Sequence, residues 1–166
     1  MENMEIVPAL ARWIHFMAGI MWIGLLYYFN FVQVAALKNA AADGTASGIT
    51  KHVAPRALLF FRWAAVVTWL AGAALLSNQF MNAFTLSNGM GAIGVGAWLG
   101  TIMLFNVWVL IWPNQKKILG IVTATDDEKN KARRVAFLAS RTNTMLSIPM
   151  LFFMAGGGAH RALFGL

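Results

Sequence analysis

A chain of 166 residues that is 59% hydrophobic and only 11% charged carries more apolar side chain than a soluble domain of that size can hide. Lipid is expected to cover the rest, and at about 20 residues per spanning helix the length accommodates four spans in one domain. The net charge of +7 comes from basic residues beside apolar runs, which fits anionic headgroups and not nucleic acid, while the lack of cysteine excludes a disulfide, a thiolate metal site and a thioether-linked heme.

The first apolar run extends from about Ile6 to Val34. No small-residue cleavage site follows it, so it reads as a retained span and not as a signal peptide. Pro8 suits a first helical turn, where a missing amide donor costs little. A small, polar stretch from Asn39 to Thr50 is expected to end this helix, and Pro55 opens the second apolar run, which reaches about Leu76.

Ser77 to Gly89 reads as an uncharged connection, and the third run, from about Met90 to Trp112, is expected to stop at Pro113. Asp126 to Ser140 has acids at its start, bases after them and an apolar end, which predicts a short amphipathic helix on the membrane surface within the third loop. The last span is expected from about Arg141 to Phe164. The predicted fold is thus all-α, an integral membrane four-helix bundle with spans at about 6–34, 55–76, 90–112 and 142–164.

Counting Lys and Arg by side orients the bundle. Lys38, Lys51, Arg56 and Arg62 belong to the first loop and the start of span two, and Lys116, Lys117, Lys129, Lys131, Arg133, Arg134 and Arg141 to the third loop. Only Arg12 and Arg161 fall toward the opposite side. Both termini are therefore expected outside and the basic loops in the cytoplasm, an N-out/C-out topology.

Three histidines are the candidates for chemistry. His15 lies roughly 10 Å inside the outer end of span one, at 1.5 Å per residue, and His160 within about a turn of the outer end of span four. If those spans are neighbours, the two imidazoles can approach one metal from opposite sides. A b-type heme suits that arrangement, since it takes axial nitrogen ligands, an apolar slot and cations near its propionates. Arg12 and Arg161 supply the cations, and Gly19, Gly96 and Gly100 leave room for a flat macrocycle. Met17, Met150 or Met154 could stand in for a histidine.

Each of these features also has a structural reading. An interfacial histidine is often only a polar end group, and the Gly96 to Gly100 spacing lets helices pack closely. His15 resists that reading, because ionisable groups at its depth are rare and usually functional. A second polar group gathers toward the cytoplasmic ends: His52, Arg62, Asn106 and Asn143, with Arg56, Asn114, Gln115 and Arg141. Arg62 and Asn106 lie inside their spans and need partners there, which leaves a quinone or anion site open. The six acids lie near termini or in loops, so no hydrolytic site can be assembled.

Four stretches resemble the membrane domain of the bacterial cytochrome-linked urate oxidase (urate hydroxylase) family. They are RWIHFMAGIMWIGLLYYFNF from Arg12, KHVAPRALLFFRWAA from Lys51, NVWVLIWPNQKKIL from Asn106, and RTNTMLSIPMLFFM from Arg141 with His160 following. The resemblance implies an inner-membrane protein whose longer relatives pass electrons to a C-terminal cytochrome c domain outside the membrane. By position it makes His15, His52 and His160 the family histidines, accompanied by Arg12, Asn106, Asn114, Gln115 and Asn143. This sequence has no CxxCH and is expected to be a short form. Its plan is also similar to that of the four-helix membrane protoporphyrinogen oxidases.

The resulting expectation is a heme b protein of the bacterial inner membrane that acts in electron transfer, as a homo-oligomer or a subunit of a larger redox complex, with cytochrome c or a quinone as partner. The alternatives are an interaction subunit without cofactor, built on the same glycines and tryptophans, and a urate-oxidising enzyme dependent on a separate cytochrome c.

Overall fold

Apolar runs of this length can satisfy their backbone groups internally only as helices when water is excluded, and the described residues are helical except at the turns 43–45, 85–90 and 119–125. The computed structural model describes the backbone of residues 3–156 and the side chains of residues 6–155. Helix α1 comprises Asn3–Tyr27, a π-helical stretch Tyr28–Gln33 and Val34–Ala42. Helix α2 comprises Ala46–Gly48, a π-helical stretch Ile49–Val53 and Ala54–Leu76. A 3₁₀ turn at Ser77–Gln79 leads into the short helix α3, Phe80–Phe84. Helix α4 comprises Gly91–Phe105, a π-helical stretch Asn106–Ile111 and Trp112–Ile118, and α5 runs unbroken over Asp126–Gly156.

Three segments, Ile6–Ala42, Ala46–Phe84 and Gly91–Ile118, are long and apolar enough to cross a membrane by length and composition. The expected fourth span falls partly on α5 and partly outside the described residues.

The helices pack mainly as two antiparallel pairs, α1 with α2 and α4 with α5. One buried cluster joins the pairs: Trp22, Ile23 and Leu26 of α1, Leu58, Phe61, Ala64 and Ala65 of α2, Met103, Val107 and Ile111 of α4, and Ala139 and Met150 of α5. Phe29 meets Phe61 edge-on at 5.4 Å. Outside this seam large apolar side chains face outward, among them Trp13, Phe16, Ile20, Phe60, Leu70 and Ile148.

Several boundaries differ from those expected from the sequence: α2 begins at Ala46 and not at Pro55, and the connection expected from Ser77 to Gly89 contains the 3₁₀ turn and α3. Helix α1 does not stop near Asn39, because the alanines at 35, 36 and 40–42 sustain it. It ends where Gly44, at φ +72°, places its N–H on the Ala41 carbonyl and Thr45 reaches back to Ala40, a Schellman closure that suits glycine. Pro113 does not end α4. It falls in the first turn after the π-helical stretch, and α4 closes instead at Gly120, φ +74°, with Gly120 bonded to Lys117 and Ile121 to Lys116.

The predicted surface helix is not a separate element, since Asp126 to Ser140 continues directly into the last apolar segment as α5. No glycine or proline interrupts residues 126–148. Its start is fixed by a capping box. Thr125 N–H donates to Glu128 Oε2 at 2.8 Å, and Glu128 N–H donates to Thr125 Oγ1 at 3.3 Å.

Candidate functional site

His15 is half-buried against α2. Its Nδ1 lies 2.8 Å from the Thr68 carbonyl oxygen, and since a carbonyl can only accept, Nδ1 carries the proton. Nε2 is then the nitrogen with a lone pair in the neutral ring. The imidazole can lie this close because position 72 is glycine: a Cβ there would stand 2.9 Å from Cε1 and 3.1 Å from Nδ1. The Thr68 hydroxyl turns back to the Ala64 carbonyl at 2.7 Å, leaving the backbone oxygen as the imidazole's acceptor.

The companions assigned to His15 are distributed as follows. Arg12 is exposed one turn toward the N-terminus. Gly19 faces Thr68, whose Cγ2 would be 3.7 Å from an added Cβ. Beside Gly96 the space belongs to Met154, with atoms at 3.1 to 3.3 Å from such a Cβ, whereas at buried Gly100 a Cβ would meet nothing within 4 Å. At the same level Trp69 Nε1 donates to Thr101 Oγ1 at 2.9 Å, tying α2 to α4. His160 and Arg161 lie outside the described residues.

Of the two histidines expected to hold a heme, only His15 lies among the described residues. A ligating histidine normally donates its other ring N–H to a carbonyl or carboxylate, which fixes tautomer and ring plane, and His15 has that arrangement. Among the described residues no group of three His, Cys, Asp or Glu side chains could hold a metal ion.

The second polar group divides. Asn106 Nδ2 donates to Asn143 Oδ1 at 2.8 Å, and Asn143 Nδ2 donates to the Met103 carbonyl at 2.9 Å. Both asparagines are buried. Arg62 instead lies over the Trp112 ring, its Cζ 3.8 Å from the centroid, and its carbonyl accepts from Trp108 Nε1 at 3.3 Å. His52 is exposed on the π-helical stretch of α2 and joins neither arrangement.

Sequence reasoning missed a polar seam between α1 and α5. Tyr27 Oη pairs with Ser147 Oγ at 2.9 Å, and Asn30 Nδ2 bridges the Leu26 carbonyl at 2.9 Å and Ser140 Oγ at 2.8 Å. Ser140, Asn143, Thr144 and Ser147 stand at i, i+3, i+4 and i+7, which places them on one face of a helix. That spacing was the available signal. The buried Trp22 indole N–H has no acceptor among the described residues.

No curated protein and no solved structure matches the chain. A family model described as "Urate oxidase N-terminal" matches residues 79–163, a stretch that takes in α4, α5 and the Asn106–Asn143 pair. The chain therefore belongs to the urate oxidase N-terminal family.

Proposed function

We propose that this chain is an integral membrane protein that binds a b-type heme and acts in electron transfer, as a homo-oligomer or as a subunit of a larger redox assembly in a bacterial inner membrane. The observation that carries the reading is the His15 imidazole, held by the Thr68 carbonyl so that Nε2 is the nitrogen available to a metal. His160 is the second ligand of this reading, and Arg12 and Arg161 are the cations for the propionates. Bound heme would supply one-electron chemistry. The chain's own part is to fix the ring of His15 between α1 and α2 and to surround it with apolar side chains.

Membership of the urate oxidase N-terminal family supports the urate oxidase relation, and the four stretches quoted from Arg12, Lys51, Asn106 and Arg141 are what relate this chain to the membrane form that works with cytochrome c. The basic loops support an N-out/C-out topology with His15 toward the outer face. The native sequence has no cysteine, so single cysteines at Ser87 and Lys117 report sidedness cleanly. An impermeant thiol reagent added outside intact cells should label position 87 and not position 117.

The visible spectrum of purified protein tests the cofactor. A Soret band that is lost in His15→Ala, with the protein still inserted, is the expected result. Well-folded protein from heme-sufficient cells without such a band sinks the reading. A second reading, an interaction subunit without cofactor, draws on the filling of Gly19 by Thr68 and of Gly96 by Met154. Urate-dependent reduction of an added cytochrome c would single out a third, a urate-oxidising enzyme.

A further inference from the structure

Arg62 and Lys116 converge on one indole from different helices. The Arg62 guanidinium carbon is 3.8 Å from the Trp112 ring centroid, and the Lys116 ammonium is 6.0 Å from the same centroid. The arrangement is braced from below. Trp108 donates to the Arg62 carbonyl and packs edge-on against Trp63, 5.5 Å between ring centres.

Two cations sharing one ring face a repulsion that the ring quadrupole only partly offsets. Neither has an anionic partner among the described residues. Asp43, Asp126, Asp127 and Glu128 are all exposed, and the one ion pair there joins Lys129 to Asp126 at 3.7 Å. The guanidinium donors and the ammonium likewise have no hydrogen-bond acceptor among those residues. An Arg set inside an apolar helix calls for a polar or charged partner, and the described residues do not provide one.

We propose that Arg62, Lys116 and Trp112 form a binding site for a phosphate group, either that of an anionic lipid or free phosphate. The guanidinium fork matches phosphate oxygens, with the Lys116 ammonium as a second point charge. Trp63, Trp108 and Trp112 lie beside it, and indoles concentrate at headgroup level. The site is independent of the heme reading and of His15.

The test is native mass spectrometry of the detergent-solubilised full chain with phosphatidylglycerol, with and without inorganic phosphate. The variants are Arg62→Gln/Lys116→Gln and, as an equal loss of charge elsewhere, Arg133→Gln/Arg134→Gln. Each cation near a phosphate is worth about fivefold in binding, so the first variant should bind roughly 25-fold more weakly and the control should stay close to wild type. Lys116→Gln alone, at the edge of the cluster, should weaken binding about fivefold and serves if loss of Arg62 disturbs folding. Displacement of the lipid by inorganic phosphate would support the site and assign it to free phosphate, and persistence of the lipid would assign it to headgroups. Equal weakening in both double variants, or no binding of either probe, overturns the proposal.

Discussion

The His15 imidazole rests on Gly72 so closely that a methyl group at position 72 would stand 2.9 Å from Cε1. The bare α-carbon and the Thr68 carbonyl together define where the ring can lie.

Gly72→Ala should push the ring off that carbonyl and lower stability by about 1–3 kcal/mol, the usual cost of overpacking. Thr68→Val should leave the bond intact, since the acceptor is backbone. Unfolding of the purified protein in mixed micelles, with the His15 ring followed by nitrogen NMR, checks both. An unmoved imidazole in Gly72→Ala would contradict the geometry.

The asparagine pair gives a second expectation. Asn143→Ala removes both the acceptor of Asn106 and the donor to Met103. It should cost about 1–3 kcal/mol. A double-mutant cycle with Asn106→Ala should show a coupling of about 0.5–2 kcal/mol, in line with polar pairs between membrane helices. Strict additivity would mean that the two amides do not support each other.

Glycines in α4 should differ sharply. An added Cβ at Gly94 would collide with the Ala83 carbonyl oxygen and stand 2.6 Å from Leu86 Cδ2, whereas at Gly100 it would meet nothing within 4 Å. Gly94→Ala should therefore lose roughly 3 kcal/mol or fold poorly, while Gly100→Ala should be neutral or slightly stabilising through helix propensity. Parallel thermal unfolding of the two variants decides the matter.

Much of this was legible in the chain. The depth of His15 marked it as unusual, and Arg62 and Asn106 were recognisable as residues in need of partners. The identity of those partners was not legible. Whether Arg62 meets Trp112, or His15 meets Gly72, depends on the register between helices, which the periodicity of one helix does not contain. The helix boundaries near Asn39 and Pro113 misled for a local reason, because alanine propensity and a π-helical stretch outweighed signals that usually end helices.

The capping box makes the start of α5 sensitive to pH. Hydrogen bonds from the Thr125 backbone and then its hydroxyl hold the Glu128 carboxyl below its ordinary range, assisted by Lys117 and Lys131. A depressed folded-state value means that its contribution is fully present above the ordinary glutamate range and fades as pH falls through the lowered one. Protection of the amides at residues 125–128, taken against the intrinsic exchange rate at each pH, should fall on acidification. Glu128→Gln should flatten that dependence, and an unchanged profile in the variant would locate the sensitivity elsewhere.

Asn30 and Asn106 are both buried, both sit in π-helical stretches and both reach α5, one through Ser140 and the other through Asn143. A wide turn amounts to one inserted residue. If the extra residue were kept while the coil tightened to regular winding, everything beyond it would rotate by about 100°, whereas deleting one residue from the stretch would let the helix tighten with its downstream phase kept. The wide turn therefore absorbs the spare residue, and the half of each helix that follows keeps its inward-facing side in line with that of the half before it.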